Sequence, residues 1–273
     1  MENLRDLRRR IRAIRSTQQI THSMKLVATA RFSRIQSLLS VHRQFAQEFE
    51  EAVAVLPFSS VEHPLLRLRS AGKILLIPIT SDRGLCGAYN VNLLRYALSF
   101  ASSLPAEKEV FWLPIGRKGS LYLQWRRHPI LYSFHRLPIS LPLKAISPIA
   151  SYIRNLYERE DFEGVHLFYT RFVSMGKQIP ERILLLPIVP PERKEKKEEI
   201  PYLYEPEGEE MVPRILWRLL EVRLHQALFE SFTSEQAARM LAMSQASENA
   251  EELIRQLTLR YNRARQESIT KEL

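Results

Sequence analysis

The chain has 273 residues and a net charge of +10, enough length for one large or two ordinary hydrophobic cores. No apolar run reaches the roughly 20 residues of a membrane-spanning helix, and the opening MENLRD lacks a signal peptide's apolar core. A single cysteine, Cys86, excludes an intrachain disulfide and a Cys-rich metal site, and fits a reducing, cytosolic setting. The charge is uneven. Residues 1–43 carry ten Lys/Arg against Glu2 and Asp6, an excess that suits an acidic partner: nucleic acid, anionic lipid or an acidic protein surface.

From the start to about Val55, Leu4, Leu7, Ile11, Ile14, Gln18, Thr21, Lys25, Ala28, Phe32, Ile35, Leu39, His42, Ala46, Phe49 and Val53 recur in alternating steps of three and four. This is the seam of a helix wound on another helix. No Pro or Gly interrupts it before Pro57, and Glu2 and Asp6 suit the positive end of the helix dipole. The seam turns polar at Gln18, Thr21 and Lys25. Such a layer weakens simple pairing, so it either fixes register or faces another protein.

Residues 57–72 read as a connector. Beyond them the pattern changes to short apolar runs alternating with helix-like stretches. Strands are expected over 73–80, 110–115, 165–173 and 183–189, and helices over 92–100, from Gly119 to about Arg127, and over 143–157. That alternation predicts an α/β fold with a Rossmann-like, mostly parallel sheet. Pro78, Pro114 and Pro187 imply frayed or edge strands. Residues 190–210 form a charged linker leading to Pro213 at a helix start.

The last helix carries its own seam: Ile215, Leu219, Val222, Gln226, Phe229, Thr233, Gln236, Met240, Met243, Ser247, Ala250, Ile254, Leu257, Tyr261 and Ala264. A helix of nearly sixty residues is about 85 Å long at roughly 1.5 Å per residue, and a length several times the usual three turns needs a mechanical reason. Thr233 to Gln236 could open a fresh helix as a capping box, but the unbroken heptad phase favours one continuous helix. Its expected partner is the N-terminal helix. The expected organisation is therefore an N-terminal coiled-coil helix (1–56), an α/β body (73–206) and a C-terminal coiled-coil helix (211–273).

The run SDRGLCGAYN, Ser81 to Asn90, looks most like an active site: a thiol between glycines after a strand, with Asp82 and Arg83 beside it. A cysteine nucleophile needs a base in reach and a lowered pKa, and no histidine sits in a companion motif. The plainer reading is a strand-to-helix turn built by Asp82, Arg83, Gly84, Cys86 and Gly87 around a small buried thiol. A Cys86 hydrolase stays a third-ranked function. Gly84 and Gly87 have the wrong spacing for a dinucleotide fingerprint, and no Walker lysine is present. Gly116-Arg-Lys-Gly119 likewise reads as a turn rather than a phosphate cradle. The basic start (Arg5, Arg8, Arg9, Arg10, Arg12, Arg15) could track phosphates, which leaves a basic coiled-coil nucleic-acid binder as the alternative. The heptads, however, run through these residues, and no aromatics are interleaved. The Ala/Ser-rich section from Ala237 to Ala250 suits close helix approach, or a surface without large protrusions that another protein slides past.

Four motifs in order resemble the gamma subunit of F-type ATP synthases: Arg8 to Ala30, Ser81 to Asn90 (with Ala88-Tyr89 where Gly-Phe is commoner), Tyr202 to Pro206, and Ser234 to Leu273. The resemblance implies that the two terminal helices pair as an antiparallel coiled coil and form a non-catalytic central stalk that turns inside a catalytic hexamer of alpha and beta subunits. It would stand with the epsilon subunit on a membrane c-ring, peripheral on the cytoplasmic face of a bacterial membrane, and couple proton flow to ATP synthesis or hydrolysis. No cofactor, metal, nucleic acid or direct small-molecule substrate is implied. By the same resemblance, Met24 and Lys25 meet an acidic loop of the catalytic subunits, and Arg265, Gln266 and Thr270 touch a loop higher in the head. Tyr202, Tyr204 and Glu205 lie where the foot approaches the ring and epsilon. Many members continue past Ile-Thr-x-Glu with an apolar tail, whereas this sequence stops at Leu273. The plant-type regulatory insert with its cysteine pair is absent, so thiol switching is not expected.

Overall fold

The structure is a computed structural model that describes residues 4–56, 58, 61–69, 72–159, 162–190 and 208–272. Its first element, α1 (Leu4–Val53), buries Leu7, Thr21, Ala28, Phe32, Ile35, Leu39, Ala46 and Val53. Every one of these is a heptad position read from the sequence. The remaining seam positions are half-buried, and the residues between them are almost all exposed. A stripe this narrow is what a two-helix seam leaves, because the other faces of each helix stay in water.

The partner is α5 (Gly208–Glu272), a single helix of 65 residues that passes through Thr233 without a break. Pro213 sits in its second turn rather than at its first residue. Pairing is antiparallel: Arg8 meets Tyr261, Thr21 meets Ser247, Lys25 meets Ser244 and Arg43 meets Glu230. The two halves of α5 differ. From Met243 outward only the seam is covered, with Met243, Ala250 and Leu257 buried. Between Val212 and Arg239 nearly every side chain is buried or half-buried, because this section packs against α1 and the sheet at once.

The body contains β1 (Lys73–Pro78), α2 (Tyr89–Ser103), β2 (Glu109–Trp112), α3 (Arg117–Trp125), α4 (Leu143–Arg159), β3 (Phe162–Ser174) and β4 (Lys177–Leu186). The sheet order is β2-β1-β3-β4. β1 pairs parallel with both β2 and β3, and β4 joins β3 antiparallel, so the expected mostly parallel sheet carries one antiparallel edge. Only two residues, Met175 and Gly176, link β3 to β4. A parallel return would need a crossover of a dozen or more residues, so a hairpin is forced. The strand alternation sorts the core into two layers. Leu75 and Ile77 face α4 and α5 in the larger cluster, whereas Ile74 and Leu76 join Trp112 and Phe168 beneath Leu93 and Ala97 of α2 and Leu123 of α3. Helices on both faces bury the interior strand β1 from Ile74 to Pro78, as a parallel sheet requires, whereas the edge strand β2 is buried only at Trp112.

One expectation is corrected. Pro78 does not mark an edge strand, since β1 is interior. It closes the strand at the level where β2 has already ended, and its carbonyl accepts the Ile115 N–H at 3.0 Å. A missing donor costs least at that point. Pro114 falls just outside β2, and Pro187 follows the edge strand β4. Among the described residues no helix is long and apolar enough to cross a membrane.

Candidate functional site

The turn after β1 is built from side-chain caps. Ser81 donates its hydroxyl to the Arg83 carbonyl at 2.6 Å, while its backbone N–H is received by Asn90 Oδ1 at 2.9 Å. Asn90 Nδ2 in turn donates to Ser81 Oγ and towards Cys86 Sγ. Asp82 takes the Arg117 N–H on one oxygen (2.9 Å) and the Arg136 N–H on the other (2.8 Å), tying the start of α3 to the 136 loop. Leu85 and Gly87 both adopt left-handed backbone, with φ of 63° and 57°, which reverses the chain into α2.

Cys86 is buried inside this turn. Burial pushes its thiol pKa up, against smaller opposing effects from the Ser81 hydrogen bond and Arg239. A raised pKa removes the thiolate that nucleophilic chemistry needs. The thiol therefore acts as a small apolar filler held by Ser81 and Asn90.

The Gly116–Gly119 segment is closed to phosphate by Thr80. A Cβ at Gly116 would stand 2.0 Å from the Thr80 carbonyl oxygen, and one at Gly119 would stand 2.7 Å from its hydroxyl. The three first amides of α3 are already taken: Arg117 by Asp82, Lys118 by the Ser81 carbonyl, and Gly119 by Thr80 Oγ1. An anion site at a helix start depends on free amides at that end. Here all three hold the turn.

Higher on the helix pair, the predicted polar layer is present: Thr21 is buried, and Gln18 and Lys25 are half-buried. Thr21 Oγ1 lies 2.7 Å from Ser247 Oγ, and Lys25 Nζ donates to Ser244 Oγ at 3.0 Å. Hydrogen bonds between small side chains let the helices approach closely while specifying which layer meets which. Near the far end, Arg8 donates to the Tyr261 hydroxyl at 2.6 Å and stacks over its ring.

Lower down, α5 meets the sheet through buried polar groups. Arg43 grips Glu230 with two nitrogens, at 2.6 and 2.7 Å, and Glu230 is 3% exposed. Ser231 and Ser234 bond the backbone of Thr170, and the Tyr89 hydroxyl reaches the Ser231 carbonyl at 3.1 Å. One turn further, Arg239 pairs with Glu235 at 2.6 Å and donates to the carbonyls of Arg83 and Gly84, clasping the turn described above. Burial raises the Glu235 pKa, with Arg239 opposing.

Of the positions implied by the family resemblance, Met24 is half-buried and lines a cleft of about 700 Å³. The cleft lies between α1, the 82–85 turn, the 134–139 segment and α5. Its rim carries Arg31, Arg83 and Arg136, and its wall carries Glu235. Lys25 is half-buried beside it, turned to Ser244. Arg265, Gln266 and Thr270 are exposed on the last turns of α5, and the Thr270 hydroxyl returns to the Gln266 carbonyl at 2.9 Å. In the antiparallel pair Met24 and Lys25 lie at the level of Ser244, whereas these three lie beyond the Arg8–Tyr261 contact, so they form two separate patches on the helix pair rather than one pocket. Tyr202, Tyr204 and Glu205 lie outside the described residues. Among the described residues no three His, Cys, Asp or Glu side chains converge as metal ligands.

The heptad reading missed the joint residues Arg43, Glu230, Ser231, Ser234 and Arg239, which stand off the seam. A signal was present: Glu230 and Ser231 interrupt the otherwise apolar run from Ala227 to Phe232, and a charge there must be paired if the section is buried.

Comparison with known proteins follows this architecture along its whole length. The sequence matches the family model described as ATP synthase over residues 3–273. It is 38% identical over 275 residues to the ATP synthase gamma chain of Desulforamulus reducens, covering 100% of this chain and 96% of that one. It is 36% identical over 275 residues to the gamma chain of Pelotomaculum thermopropionicum, with the same coverage. The fold is also that of the rotor of the Euglena gracilis mitochondrial ATP synthase, with a TM-score of 0.72 at 19% identity over 97% of this chain and 98% of that one. A chain in the central stalk and c-ring structure of the Tetrahymena thermophila enzyme gives a TM-score of 0.62 at 26% identity, over 84% and 99%. With two terminal helices paired as a shaft, a mixed sheet at its base and full-length identity of this order, the chain belongs to the ATP synthase gamma chain family.

Proposed function

We propose that this chain is the non-catalytic central shaft of an F-type ATP synthase, peripheral to the membrane, carrying rotation between a membrane c-ring and the nucleotide sites of an alpha–beta hexamer. The observation that carries the reading is the asymmetry of the helix pair. Outward from Met243 it is covered only along its seam, which leaves a slender two-helix rod. Towards Val212 it is packed into a sheet body on several sides. Paired helices resist bending and twisting better than one, and a rod anchored at one end transmits torque. Catalysis would belong to the surrounding subunits, each passing through binding, reaction and release as different faces of the shaft meet it.

Within this reading, Met24 and Lys25 meet an acidic loop of the catalytic subunits, and the exposed basic flank of α1 suits such a partner. Arg265, Gln266 and Thr270 form a second grip higher in the head. Tyr202, Tyr204 and Glu205 contact the ring or the epsilon subunit. The test is to reconstitute the complex with the double variant Arg265→Ala/Gln266→Ala and follow ATP-driven proton pumping and ATP turnover. Both side chains are exposed, so the fold should survive while coupled turnover falls. Turnover equal to that of the unaltered complex would sink the assignment of this grip.

A further inference from the structure

Strand β3 is longer than the strand beside it. β1 stops pairing at Pro78, opposite Phe168, and the last ladder bond on that side runs from the Ile79 N–H to the Phe168 carbonyl at 2.9 Å. β3 continues to Ser174. Backbone groups point to the same side at every second residue, so those of Thr170 and Phe172 face the place β1 has vacated. A buried free edge of this kind would leave four polar groups without partners.

All four are taken by side chains of the helix pair. The Thr170 N–H donates to Ser231 Oγ at 3.1 Å, and the Thr170 carbonyl accepts from Ser234 Oγ at 3.0 Å. The Phe172 N–H donates to Glu230 Oε2 at 2.8 Å, and the Phe172 carbonyl accepts from Arg43 Nη2 at 2.6 Å. The last two bonds close a ring, because Arg43 also holds both oxygens of Glu230. The helices thus continue the β-ladder in place of a strand, and α1, α5 and β3 meet in one charge-assisted knot. Charged hydrogen bonds are stronger than neutral ones and fix a geometry, whereas apolar packing is non-directional and resists separation more than sliding. A body held to a shaft by apolar contact alone could slip around it under load.

We propose that this edge joint is the torque-bearing link between shaft and sheet body, with Glu230 and Arg43 as positioning residues that keep the two turning together. The inference rests on the rotary reading above. If the joint slips, the hexamer still turns the helix pair and hydrolyses ATP, but less of that rotation reaches the ring.

The experiment reconstitutes the full complex with Glu230→Gln, which preserves shape but removes the charge that pairs with Arg43. ATP hydrolysis and ATP-driven proton uptake are measured on the same membrane vesicles. Hydrolysis should stay near the unaltered rate, while protons pumped per ATP fall below the ratio of the unaltered complex, because the charge-assisted bonds that hold the joint are lost. Arg255→Ala, at an exposed ion pair with Glu252 on α5, should leave the ratio unchanged. Ser234→Ala deletes one neutral bond of the same edge and carries the test if Glu230→Gln fails to assemble; it should lower the ratio in the same direction by less. An unchanged ratio in the assembled variants overturns the joint's role. If the unaltered chain does not assemble with the hexamer at all, the rotary reading fails instead.

Discussion

His225 lies where α1, α5 and the 141 loop meet, and its protonation should weaken the fold in acid. Its Nε2 is 2.8 Å from the Leu141 carbonyl; a carbonyl only accepts, so that nitrogen carries the proton of the neutral ring. The ring lies 4.2 Å from that of His42 and 4.8 Å from Phe229. Burial, with His42 and Arg218 nearby, lowers its pKa to about 4, against the smaller opposing effect of the Leu141 bond. The unfolded chain holds its proton with the ordinary pKa near 6.5, so between the two values the unfolded state binds more protons. The contribution is fully present above pH 6.5 and is lost as pH falls towards 4. By linkage this one residue removes about 2 kcal/mol between pH 7 and pH 5, or about 4–8 °C in melting temperature for a chain of this size. Thermal melts of the purified chain at the two pH values check it, with His225→Gln as the reference. The glutamine can still donate to Leu141 but cannot take up a proton, so its melting point should fall by less on acidification. Equal falls in both proteins would refute the argument.

Two other substitutions probe the turn and the seam. Gly116→Ala forces a methyl to within 2.0 Å of the Thr80 carbonyl at a φ of 101°; urea unfolding should show a loss of about 3 kcal/mol or more, since overpacking and backbone strain add. Ser247→Val removes the cross-helix partner of the Thr21 hydroxyl, which keeps its bond to the Gln18 carbonyl, and should cost about 1 kcal/mol, whereas Thr21→Val/Ser247→Val should recover part of that loss because no hydroxyl is left facing an apolar side chain. A denaturant series on the three proteins would expose a failure, which here is a double variant less stable than the single.

How far the sequence could be read depends on the range of the interaction concerned. The seam of α1 was legible residue by residue, down to the polar layer at Thr21 and Lys25, because a helix stripe is set by spacing within a few residues. The outer half of α5 followed the same rule. Its inner half did not: near Leu220 and Leu224 apolar residues surround the helix, and a heptad reading sees only the seam among them. The apolar run predicts β4 over 183–189, whereas in the structure it spans Lys177–Leu186. Its polar opening, KQIPER, carries no apolar run, since an edge strand has one side in water. The turn around Cys86 was legible as a turn because Gly84 and Gly87 punctuate it, but the partners of Asp82, which are the amides of Arg117 and Arg136, lie too far along the chain to be inferred.

By itself, then, the sequence determined two long amphipathic helices with matching seams, an alternating strand and helix segment between them, and a family likeness carried by local motifs. These are properties of short windows, where periodicity and turn chemistry act. Only the tertiary structure decided that β4 returns antiparallel, that β1 ends short of β3, and that Arg43, Glu230, Ser231 and Ser234 fill the place it leaves. The reason is physical: a backbone edge becomes buried, and so demands partners, only once the sheet and the helix pair have come together.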